Sequence, residues 1–182
     1  MKKSTTDRID AAIESEDWLA ARRLLEVQLR DRPDDHWLLT RLSTTYYEER
    51  NYAQALLICQ KAMSVAPGCP LVRWDYAGAL EMTGNEAEAI SIWKRFLKAG
   101  ADSLERDPCS EGRDWNISLI NDCRYRLALA FGDRGELQPA VRYIRNYLEG
   151  RQSGAGGIYT VSAARKKLEV WRLKMASERQ AS

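Results

Sequence analysis

Four alanines set the frame of this chain. Ala21, Ala55 and Ala89 stand 34 residues apart, and Ala140 follows after 51, one period and a further 17. The same gaps join Leu25, Cys59, Trp93 and Ile144, and again Gln28, Ala62, Phe96 and Tyr147. Ahead of the later alanines stand Leu42, Tyr76 and Leu127, each followed by a small residue: Ser43, Ala77 and Ala128. Pro33 and Pro67 are also 34 apart. A register held at so many positions marks one supersecondary unit repeated along the chain. Each period reads as two helices, with the small residues where paired helices cross closely. Gly84 and Gly135 fall at the turn between them, a left-handed position suited to glycine. Glu16 and Arg50 occupy that turn in the other units and are expected to be slightly strained there, or to make the turn differently.

The pattern resembles the tetratricopeptide repeat, whose core is W-x2-L-G-x2-Y, then A-x3-F, then P. The best copy runs Leu39-x2-Leu42-Ser43-x2-Tyr46, then Ala55-x3-Cys59, then Pro67. Residues 36–69 are read as this repeat, 70–103 as a second and 121–152 as a third, the last two lacking the closing proline. Residues 2–35 keep Trp18, Ala21, Leu25 and Pro33 but have a degenerate first half, as suits a terminal unit with one unpartnered face. The resemblance implies an all-α fold: a right-handed α-solenoid of helix-turn-helix units in a single domain, closed by a C-terminal capping helix, a small stand-alone array.

Two segments break the period. Residues 104–120 are an insertion: polar and turn-rich from Asp102 to Arg113, then a backward extension of the next helix from Asp114 as N-cap. The extension is read as packing on the preceding unit, with Trp115 and Arg113 walling a binding site as the sharper alternative. From Arg151 to Tyr159 a glycine-rich stretch matches neither phosphate-binding glycine motif and follows no strand, so it is a loop. Thr160 then caps a helix over 160–179 that sets Val161, Ala164, Leu168, Trp171 and Met175 on one face. Six basic residues against two acidic ones on that helix suit a solvated cap, or contact with nucleic acid or an acidic surface.

In the resembled family, repeat positions 2, 5, 6, 9, 12 and 13 line the concave face. The resemblance thus places Trp37, Thr40, Arg41, Thr44, Tyr47 and Glu48 there in the first full copy. The second copy contributes Leu71, Trp74, Asp75, Gly78, Glu81 and Met82, and the third Asp122, Tyr125, Arg126, Leu129, Gly132 and Asp133. Large aromatics beside arginines are the composition of binding hot spots, and Gly78 leaves room for a ligand backbone. The candidate partner-binding residues are therefore Trp37, Arg41, Tyr47, Trp74, Asp75, Gly78, Tyr125 and Arg126. Trp74 reads equally well as a bridge between adjacent helices. The family's clamp for a chaperone's C-terminal carboxylate is not reproduced: its positions hold Thr40, Thr44, Asp75, Asp122 and Arg126, or, one unit earlier, Thr6, Asp10, Arg41, Leu71 and Asp75.

The remaining composition narrows the class of work. Eleven Gly and five Pro among 182 residues are too few for a many-turned sandwich or barrel. One His rules out a His-based metal cluster within one chain, and four cysteines without a CxxC disfavour a zinc site built from all four. No Ser or Cys has a His placed by motif, so no enzyme is expected, nor a cofactor or small-molecule substrate. Net charge is +2, which implies no global polyanion field. The opening residues lack an apolar signal core and no stretch is long enough to span a membrane. The expectation is a cytoplasmic, non-enzymatic protein-interaction module. It binds a peptide or partner segment in the concave groove, as a monomer or else a homodimer. The alternative is nucleic-acid or acidic-surface binding through the last helix.

Overall fold

A computed structural model describes residues 4–180; Lys2 and Lys3, which open the first unit as read from sequence, lie outside the described residues. Ten helices follow one another among them: α1 (Thr5–Glu14), α2 (Trp18–Asp31), α3 (His36–Glu48), α4 (Tyr52–Val65), α5 (Pro70–Met82), α6 (Glu86–Ala99), α7 (Ala101–Leu104), α8 (Arg113–Asp133), α9 (Leu137–Gln152) and α10 (Val161–Gln180). No strand occurs among the described residues. The chain is all-α, built of helix-turn-helix pairs of the kind that stack into solenoids. It divides into two compact units that part at Ala89–Ile90, inside α6.

In the first unit the helices start where side chains can satisfy free backbone N–H groups. Ser4 and Asp7 form a reciprocal capping box on α1. Asp17 accepts from the Ala20 N–H at 3.0 Å, and Asn51, one period later, accepts from that of Gln54 at 3.3 Å. Asp35 accepts from both Trp37 and Leu38 at the head of α3. Pro70 opens α5, where a missing N–H costs nothing. The expected strain is present: Glu16 has φ 57° and Arg50 φ 62°, at the turn where Gly84 has φ 85° and Gly135 φ 76°. Ala21, Leu25, Ala55, Cys59 and Ala62 have no exposed surface. Ser43 shows why the crossing position is small. Its hydroxyl donates to the Ala55 carbonyl at 3.2 Å and lies 2.9 Å from Cys59 Sγ, so α3 and α4 meet at near-backbone distance.

The second unit repeats the scheme with larger residues. Trp93, Phe96, Leu127, Ala128, Ala140, Ile144 and Tyr147 are fully enclosed, each large apolar side chain contributing roughly 1.5–3 kcal/mol. Two local expectations change. The polar stretch after α6 is not all loop, since Ala101–Leu104 closes one helical turn with Leu104 buried as its anchor. Gly112, at φ 100°, precedes α8, which thus begins at Arg113, and Asp114 lies in its first turn rather than at the cap. From Leu119 to Cys123 five consecutive residues are buried, so this helix is enclosed nearly all round. Asp102 and Arg113 close the insertion on itself with an ion pair at 3.0 Å. Thr160 caps α10 through the Ala163 N–H at 3.1 Å, and Ala164 and Trp171 are that helix's buried residues.

Candidate functional site

The residues singled out from the sequence separate into two groups, one in each unit. In the first unit, α3 presents Trp37 and Arg41 one turn apart, and the guanidinium lies over the indole with Cζ 5.3 Å from the ring centre. Both are half-buried. Asp10 on α1 approaches Arg41 Nε only to 4.0 Å, and that buried nitrogen donates no hydrogen bond. Asp75, on α5, is the counterpart acid. Burial pushes its carboxyl up to about 7, and the Arg41 charge opposes the rise. A cation and an acid that feel each other's charge thus stand half-buried beside an aromatic face. Trp74 and Gly78 sit half-exposed on the same helix as Asp75. Tyr47 is committed elsewhere, its ring edge-on to Tyr52 with centroids 5.2 Å apart. Thr40, expected on the same face, is buried and donates to the Trp37 carbonyl.

Beneath this face, the Cys59 thiol is pushed up to about 12 by burial and by the Asp75 charge, against its contact with Ser43. It is a packed side chain rather than a nucleophile.

In the second unit the expected surface is covered. Tyr125 is 6% exposed because Tyr159, from the glycine-rich loop, lies flat on it at 4.1 Å with the rings 10° from parallel. Tyr147 meets the same ring edge-on at 5.1 Å. Arg126 places Cζ 5.4 Å from the centre of the Trp93 ring. Asp122, expected on the concave face but outside the candidate set, accepts the Ile158 N–H on both carboxylate oxygens. Burial raises its carboxyl to about 6, opposed by the bonds from Ile158 and Tyr159 and by Arg151 and Arg126. Sequence reasoning missed this arrangement. The readable signal was Tyr147 and Arg151, one turn apart on α9, followed by Gly156, Gly157 and an aromatic.

Four arginines, Arg142 and Arg145 from α9 with Arg172 and Arg179 from α10, line an open cleft of about 680 Å³. Glu149 is the one acid among its lining residues, and Val141, Met175 and Ala176 form its apolar part. No described helix is long and apolar enough to cross a membrane.

Residues 46–106 match the family model described as Tetratricopeptide repeat. No curated protein matches the sequence. Among solved structures the chain is similar to the crystal structure of MamA protein, with a TM-score of 0.67 at 16% identity over 97% of this chain and 84% of that one. It is similar also to MamA RS-1 ArsTM double mutant, at 0.59 and 12% over 95% of each chain. MamA MSR-1 C2 gives 0.54 and 21% over 80% of this chain and 74% of that one. At such identities the likeness is one of fold. The 34-residue register, the paired helices and the matched segment together give the chain a tetratricopeptide-repeat fold, with residues 46–106 the part that matches the family itself.

Proposed function

We propose that this protein is a non-enzymatic scaffold that binds an extended segment of a partner protein on the face formed by Trp37, Arg41, Trp74, Asp75 and Gly78. Tetratricopeptide repeat proteins work in general as protein-binding scaffolds, and the finer reading rests on one observation. Arg41 Nε is buried and donates nothing, and the Asp75 carboxyl, pushed up to about 7 by burial, feels the Arg41 charge. Leaving a buried donor unmade costs about 1–3 kcal/mol. A peptide group brought between them offers a carbonyl to Arg41 and an N–H to Asp75, and its neighbouring side chain rests on Trp37 or Trp74. Peptide-library display on the intact chain tests the reading. An enriched consensus that disappears on Arg41→Ala and on Trp74→Ala is expected. No enrichment, or enrichment indifferent to both substitutions, overturns it.

The arginine cleft supports a second reading, contact with an acidic protein surface. Four cations against one acid, over apolar floor atoms, favour an acidic partner by charge complementarity. Binding of a polyglutamate peptide that weakens steeply between low and physiological salt, and is lost on Arg145→Glu with Arg172→Glu, is the expected result. Absent or salt-insensitive binding removes it.

A further inference from the structure

The loop that follows α9 does not trail into solvent. Its last part is held like a bound peptide on α8 and α9. Asp122 accepts the Ile158 N–H at 3.2 Å on Oδ1 and 3.1 Å on Oδ2, and accepts the Tyr159 N–H as well. Arg151 donates to the Gly157 carbonyl at 2.8 Å, and the Tyr147 hydroxyl donates to the Tyr159 carbonyl. Tyr159 stacks on Tyr125. Gly157 is required by the closeness of the fit: a Cβ there would stand 2.6 Å from Asp122 Oδ1 and 2.8 Å from an Arg151 nitrogen.

Three features mark this as recognition of a short segment rather than core packing. Main-chain groups carry nearly all the polar bonds, as when an extended peptide docks in a groove. Ile158, between the two anchoring residues, leaves its side chain 72% exposed, so only Tyr159 inserts. The segment is also dispensable to its neighbours, because α10 is anchored separately. Trp171 packs over Gly132, and Ala164 is buried. Residues 156–159 can therefore leave the site while Thr160 stays as the cap of α10.

We propose that Asp122, Tyr125, Tyr147 and Arg151 form a peptide-binding site that the chain fills with its own Gly157–Tyr159 segment. A partner competes for the site with an aromatic residue in an extended, glycine-preceded stretch. The segment is then an internal ligand that sets a threshold. A competitor's apparent affinity is reduced by the fraction of time the site is free. This site shares no residue with the Trp37–Arg41–Asp75 face, so either proposal can fail without the other.

The probe is a labelled synthetic peptide copying residues 153–161, titrated against the full chain by fluorescence anisotropy. Tyr159→Ala vacates the site, and Ile158→Pro removes one N–H to Asp122 and restricts the backbone there, at a residue that is itself exposed. Both variants are expected to bind the peptide at least about ten-fold more tightly than the wild-type chain. Adding Asp122→Ala or Tyr125→Ala abolishes that gain, as does replacing the peptide's own tyrosine with alanine. Hydrogen exchange on the unaltered chain provides a readout that needs no variant. Excess peptide should speed exchange of the Ile158 and Tyr159 amides several-fold and leave the α9 amides unchanged. Folded Tyr159→Ala chain that ignores the peptide, binding unaffected by Asp122→Ala, or unaltered exchange under millimolar peptide overturns the proposal.

Discussion

The backbone of Gly132 and the indole of Trp171 occupy one slot: a Cβ built on Gly132 would stand 2.3 Å from Trp171 Cζ2. The last helix is therefore keyed into α8 by an absent side chain. Gly132→Ala is expected to destabilise the chain by roughly 2 kcal/mol, because a packed aromatic must shift to admit one methyl. The loss should concentrate in α10. Limited proteolysis should cut within residues 161–180 first, and a variant that melts and digests like the wild type would refute the keying.

Arg50 carries a left-handed backbone, φ 62°, at a turn where the later units use glycine. The strain costs an L-residue roughly 1–2 kcal/mol, while glycine's extra backbone entropy takes back about 0.5–1 kcal/mol. Arg50→Gly should therefore raise stability by about 0.5–1 kcal/mol, and Gly84→Ala, at φ 85°, should lower it by about 1 kcal/mol. Denaturant midpoints measured side by side decide both.

Stability should fall as pH rises from about 4 towards 7. Asp75 is raised from 3.8 to about 7 and Asp122 from 3.8 to about 6, in both cases first by burial. A carboxyl raised in the folded state favours folding while it is protonated, and that support is lost as pH passes its folded value. For Asp75 the whole difference is up to about 4 kcal/mol before relaxation and solvent screening reduce it. The melting temperature should be higher at pH 5 than at pH 8, and Asp75→Asn should flatten the dependence. An unchanged slope in that variant would mean Asp75 is not the group responsible.

Cys59, fully enclosed and pushed up to about 12, should resist a thiol reagent until the chain unfolds. Cys109 is half-buried and should be labelled before Cys59, Cys69 and Cys123, all of which are buried. Labelling followed by mass spectrometry at native pH gives the order, and early modification of Cys59 would contradict the packing at Ser43.

Much of the fold was readable because its causes are local or periodic. Ala21, Ala55, Ala89 and Ala140 are all fully buried, since close helix crossings admit nothing larger and recur with the repeat. Glu16 and Arg50 could be named as strained because the turn's geometry repeats even where its glycine does not. The misses have equally local causes. Leu104 anchors a single helical turn too short to show a period, and Gly112 pre-empts Asp114 through a backbone conformation that side-chain preferences do not encode.

The sequence by itself determined the repeated helix pairs and their crossing residues, because burial of a periodic apolar stripe leaves a periodic trace. Only the tertiary structure decided which of the candidate residues stay open. Trp37 and Arg41 remain partly open, whereas Tyr125 is covered by Tyr159 from 34 residues further along. That pairing depends on the path of a loop, and a loop's path is set by bonds such as Ile158 to Asp122 that follow no period.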